Sequence, residues 1–117
     1  MVEVCFLIDA DGGVLWSDRS TSASALPDSP PRWHAIWAHR DRIVVIAHSH
    51  PNGPLAFSAE DRSTMAAIDA GLGRPLRYAV VTIDALLYRE ADGRLTIAGE
   101  KPAWADELRR ASGMPTA

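Results

Sequence analysis

The chain has 117 residues, 47% of them hydrophobic and 23% charged, a balance that suits one globular domain and lies far from the disordered and membrane classes. Its formal net charge of −3 argues against nucleic-acid binding by bulk electrostatics, which uses a basic stripe. The longest apolar runs are too short for a transmembrane helix, and Met1-Val2-Glu3 opens without the basic region of a secretory signal, so the expectation is a single cytoplasmic domain over residues 1–117.

In chain order, "VEVCFLID" predicts a strand, and "ADGG" before "VLWS" predicts a tight turn into a second strand, forming a hairpin. The lone Cys5 sits inside the first of these strands, where a thiol is a small core residue. Residues 19–31, "RSTSASALPDSPP", are small, polar and broken by proline, which predicts a loop. Pro30 and Pro31 then open a helix whose face carries Trp33, Ile36, Trp37 and Arg40. "RIVVIAH" is a continuous apolar run suited to a central strand covered on both faces. "SAEDRSTMAAIDAGLG" predicts a helix with Ser58 as N-cap, Met65, Ile68 and Leu72 as its apolar stripe, and Gly71 and Gly73 as stop signals. "RYAVVTI", "ALLYRE" and "RLTIAG" predict three further strands, and Pro102 opens a last helix in which Trp104, Leu108 and Ala111 share a face. This order describes an α/β fold, a mixed β-sheet with helices packed on it.

The chemistry gathers where the central strand ends. His48 and His50 are two apart, so their side chains project to the same side at roughly 6–7 Å spacing along an extended strand. The turn after them brings the chain back to Asp61 in the first turn of the next helix, where the helix dipole also favours a carboxylate. Glu60 and Asp61 point about 100° apart on a helix, so only one can face the histidines; Asp61 is taken as that ligand. Two histidines and one carboxylate form the open ligand set of a catalytic zinc, with a water in the fourth place activated for hydrolysis of an acyl bond. Glu3 is the only glutamate among residues 1–47. A carboxyl in so apolar a segment demands a partner or a task, and taking the proton of that water is the task read for it. His34 and His39, five apart on a helix, do not share a face.

The segment "HSHPNGPLAFSAED" resembles the H-x-H-x(7)-S-x-x-D signature of the JAMM (MPN-plus) zinc metalloproteases, preceded by a distant glutamate. Together with the hairpin and the helix and strand before it, the likeness runs over roughly residues 2–99 and is similar to the compact prokaryotic JAB branch that includes RadC-like domains. The resemblance implies a JAMM fold of cytidine-deaminase-like type, one zinc ion on His48, His50 and Asp61, and Glu3 as general acid/base. It also implies that Ser58 donates a hydrogen bond to the oxyanion; read on its own, Ser58 is an N-cap. The implied activity is that of a deubiquitinase-like peptidase or isopeptidase. Its partner would be the C-terminal tail of a ubiquitin-like or sulfur-carrier protein, cut for maturation or removal from targets, including in antiviral tagging operons.

Rival readings meet specific obstacles. Metal-dependent barrels that begin with a similar H-x-H need ~250 residues and later histidines, and no histidine follows His50. A JAMM-fold scaffold without catalysis would have no use for the complete ligand set. A RadC-like role at DNA meets the acidic charge.

Overall fold

The computed structural model describes residues 1–22 and 29–116. Six strands form one sheet in the order β2-β1-β3-β4-β5-β6: β1 (Val4–Ile8), β2 (Val14–Arg19), β3 (Val45–Ser49), β4 (Arg77–Val81), β5 (Leu86–Arg89) and β6 (Leu95–Ile97). The helices are α1 (Pro30–Ala38), α2 (Ala59–Leu72) and α3 (Ala103–Ser112). Element types and order follow the pattern read from the sequence. Only β3 and β4 pair in parallel, so the sheet is mixed, and β3 lies inside it between β1 and β4.

Alternation along the strands divides the core in two. Cys5 and Leu7 of β1, Ile46 of β3 and Tyr78 and Val80 of β4 join Ala35 and Ile36 of α1 and Met65 and Ile68 of α2 on one face. Val4, Phe6 and Ile8, Val45 and Ala47, and Ala79 and Val81 meet Trp104, Ala105 and Leu108 of α3 on the other. A sheet covered on both faces requires apolar side chains at consecutive positions, which accounts for the unbroken runs in β1, β3 and β4.

Local signals set the element ends. The Asp9 carboxylate accepts the Asp11 and Gly13 amides at 2.9 and 2.8 Å, closing the hairpin turn. Ser29 caps α1 by accepting from the Arg32 amide. Gly73 ends α2 in the left-handed region, at φ 73°, where a Cβ would be disfavoured.

Four expectations change. Gly71 lies inside α2, and Gly73 alone caps it. The strand after α1 starts at Val45 rather than Arg42, because the Arg42 and Ile43 amides bond to the His39 carbonyl in the turn leaving the helix. On α1 the buried residues are Arg32, Ala35 and Ile36, while Trp37 is 57% exposed and carries the Arg40 guanidinium over its ring at 4.2 Å. Arg32 turns inward because Asp18 of β2 accepts both its Nε and Nη2, at 3.1 and 2.9 Å. On α3 the inward face is Trp104, Ala105, Leu108, Arg109 and Ser112, with Ala111 exposed. Arg109 is buried because the Thr82 and Ala85 carbonyls and the Asp106 carboxylate accept its guanidinium hydrogens.

Of the loop expected over residues 19–31, Arg19 ends β2 and Pro30 and Pro31 begin α1; positions 23–28 lie outside the described residues. No helix among the described residues is long and apolar enough to cross a membrane.

Candidate metal centre

Three segments meet at one end of the sheet. His48 is in β3 and His50 follows it directly, anchored by its amide to the Val81 carbonyl of β4 at 2.8 Å. Asp61 is the third residue of α2, and a capping box holds it in place. Its amide donates to Ser58 Oγ at 3.0 Å, and its Oδ2 accepts the Ser58 amide at 2.8 Å. Glu3, immediately before β1, is 6% exposed.

The donor atoms converge. His48 Nε2 and His50 Nε2 are 3.0 Å apart, and Asp61 Oδ2 lies 3.3 Å from the first and 3.6 Å from the second. Zinc bonds of about 2.0–2.1 Å at tetrahedral angles place neighbouring ligand atoms about 3.3–3.4 Å apart, and the three distances bracket that edge length. The His50 tautomer supports the fit. A carbonyl only accepts, so Nδ1–H of His50 donates to the Pro54 oxygen at 2.9 Å, which leaves the Nε2 lone pair directed at the cluster. Lone pairs and a carboxylate so close together repel unless positive charge lies among them, and a proton or a metal cation supplies it.

Charge in the cluster is distributed accordingly. Without a metal, burial opposes ionisation of Asp61, but hydrogen bonds from His48 and from protonated His50 outweigh it and hold the carboxyl far below the usual carboxylate range. Burial also lowers the His50 pKa, and bonding to Asp61 and Pro54, with the nearby Glu3 charge, more than reverses that effect. For Glu3 burial dominates and raises the pKa, with His50 and His48 pulling back. Glu3, His48 and His50 also form a group that could hold a metal, with ligand atoms within 4.8 Å of one another. Asp61 Oδ2 stands at ligand spacing from both imidazole nitrogens, and the Glu3 carboxylate has the same two imidazoles as neighbours.

The family model described as prokaryotic homologs of the JAB domain matches residues 4–94. The chain belongs to the prokaryotic JAB-domain family. The match includes His48, His50, Ser58 and Asp61, begins one residue after Glu3 and stops before α3. No curated protein matches the chain significantly.

Within this JAB domain, every residue singled out for the site lies in or beside one cluster. Ser58 acts in the structure as the N-cap of α2 and thereby fixes Asp61. Outside the cluster, His34 is exposed on α1 and His39 is the C-cap of that helix. Two contributors were not read from the sequence. The Pro54 carbonyl that orients His50 is a backbone group with no side-chain signal. Ser49 lies between the histidines and is fully buried on the opposite side. A serine ending the apolar run "IVVIAHS" was the available sign, since a hydroxyl in a buried strand needs a partner.

Proposed function

We propose that this JAB domain is a zinc-dependent peptidase or isopeptidase that cuts the extended C-terminal tail of a ubiquitin-like or sulfur-carrier protein. The observation that carries the reading is the convergence of His48 Nε2, His50 Nε2 and Asp61 Oδ2 at 3.0–3.6 Å, with the buried Glu3 carboxyl beside them.

His48, His50 and Asp61 would hold the ion. Zinc bound there supplies Lewis-acid chemistry, activating water and polarising the scissile carbonyl. Glu3 accepts the proton of the attacking water at its carboxylate and returns it to the departing amine nitrogen. Ser58 Oγ accepts from the Asp61 amide, which leaves its O–H free to donate to the developing oxyanion. For the substrate, support comes from the sheet edge: β2 pairs only with β1 among the described strands, and its last residue, Arg19, lies opposite Val4, one residue from Glu3. An extended tail can add to such an edge through backbone hydrogen bonds.

The test is cleavage of a ubiquitin-like protein fused through its C-terminal tail, using protein of measured metal content. One zinc per chain and cleavage that is lost on chelation and restored by zinc are expected. Glu3→Gln should keep zinc and lose turnover by about 10²–10⁴-fold, the usual range for a general acid/base. Cleavage by zinc-free protein, or a zinc-loaded protein inert toward the tail fusions, overturns the reading.

A further inference from the structure

Side-chain alternation puts His48 and His50 on one side of the chain and Ser49 between them on the other. Ser49 is 0% exposed and Ser112, the last residue of α3, is 1% exposed. Their hydroxyl oxygens are 2.5 Å apart. The Val4 amide donates to Ser49 Oγ at 2.8 Å, and Ser112 Oγ bonds to the Val2 carbonyl. The Val2 amide also donates to the Ser112 carbonyl at 3.0 Å.

The direction of every bond in this relay is determined. The Val4 N–H can only donate, so Ser49 Oγ accepts there. The Val2 carbonyl can only accept, so Ser112 gives its one proton to it. The remaining proton, on Ser49, therefore points to Ser112 Oγ. Both neighbours of Glu3 are thus tied to α3 and β3 from behind the sheet. Glu3's own backbone is tied on the hairpin side, its amide to the Ser22 carbonyl and its carbonyl to the Ser20 amide, each at 2.8 Å.

The structure assigns Ser49 and Ser112 a positioning role: their relay fixes the segment bearing Glu3, so that α3 sets where the Glu3 carboxylate stands over the two histidines. Glu3 precedes β1 and has no place in a strand ladder, and Ser49 stands where the β1–β3 ladder, whose last pair is Cys5 with His48, comes to its end. Without the relay the segment would keep only its backbone bonds to Ser20, Ser22 and the Ser112 carbonyl, and displacement of a reacting group by about 1 Å can lower turnover as much as 100-fold. This inference rests on the reading of Glu3 as proton acceptor. It extends the site to α3, which lies beyond the residues matched to the family.

The experiment uses the zinc-loaded full chain with the tail fusion as substrate. Ser112→Ala should lower kcat by about 10–100-fold with KM and zinc content unchanged, and Ser112→Thr, which keeps the hydroxyl, should recover most of the loss. Ser49→Ala combined with Ser112→Ala should cost about as much as one change alone, because both break one relay. In a Glu3→Gln background Ser112→Ala should cost nothing further. On the same samples, amide exchange at Val2, Glu3 and Val4 should rise about tenfold or more in Ser112→Ala while protection in β4 holds. A full additional loss in the Glu3→Gln background, or unchanged exchange at those three amides, overturns the assignment. Wild-type protein that holds zinc and shows the exchange pattern but cleaves nothing overturns the peptidase reading and upholds the tether.

Discussion

Glu3 and Cys5 lie two positions apart at the start of the chain, yet they meet different surroundings. Cys5 is in the dry core between β1, β3 and the helices α1 and α2, and burial pushes its thiol pKa up to about 12. Glu3 stands at the edge of the same layer, where two histidines supply the polar company a carboxyl needs. Thiolate is the reactive form of cysteine, so native protein should leave Cys5 unmodified by a disulfide reagent at pH 8, with one equivalent reacting after denaturation. Prompt reaction of native protein would show the core to be open at that point. The folded pKa exceeds that of an unfolded thiol, about 8.5. The stabilisation from holding the proton is therefore complete below about pH 8.5 and is lost as the pH rises toward 12. The donor cluster was legible at the residue scale because its members are close in sequence and differ from their apolar background: His48, His50 and Asp61 span fourteen positions. Ser49 and Ser112, sixty-three apart, form their relay only through the tertiary fold, and no spacing rule links them.

Helix α2 shows how one element places the same residues in its cap and beside the donor cluster. Ser58 and Asp61 satisfy each other's amides, which satisfies donors that a helix start leaves unpaired, and the same Asp61 oxygen faces the histidines. Removing the cap hydroxyl by Ser58→Ala should cost about 1 kcal/mol of stability, read by denaturant unfolding of the metal-free protein. Ser58→Asp restores a cap without a hydroxyl, so stability should return while turnover stays low, by about 10²–10³-fold if the hydroxyl donates to the oxyanion. Recovery of both together would make Ser58 a cap alone. Elements with strong local signals, such as the capping box of α2 and the two-faced run of β3, were readable in advance. The inward faces of α1 and α3 were not. Arg32 and Arg109 are buried through partners on β2, on the chain after β4 and within α3 itself, and a hydrophobic stripe cannot anticipate a cation neutralised by tertiary contacts.

Across the whole molecule the sheet order brings Glu3 beside His48 and His50, more than forty positions later, since β1 lies directly against β3. Folding therefore assembles the donor cluster, and the unfolded chain has no comparable site, so metal binding must add to stability. At zinc concentrations 100 times Kd the gain is about 2.7 kcal/mol, which for a domain of this size amounts to roughly 8–15 °C in Tm. Calorimetry of the full chain should show that rise on adding zinc and its reversal by a chelator. His48→Ala should show no rise on adding zinc, because it removes one ligand, and should unfold below the wild-type metal-free Tm, because it also removes a hydrogen bond that stabilises the Asp61 carboxylate. The metal-free cluster holds two imidazole nitrogens 3.0 Å apart beside a carboxylate, an arrangement in which a proton supplies the positive charge that a metal would otherwise bring. A Tm unmoved by zinc in the wild-type chain would mean that protons alone hold these groups together, leaving Glu3 no activated water to serve.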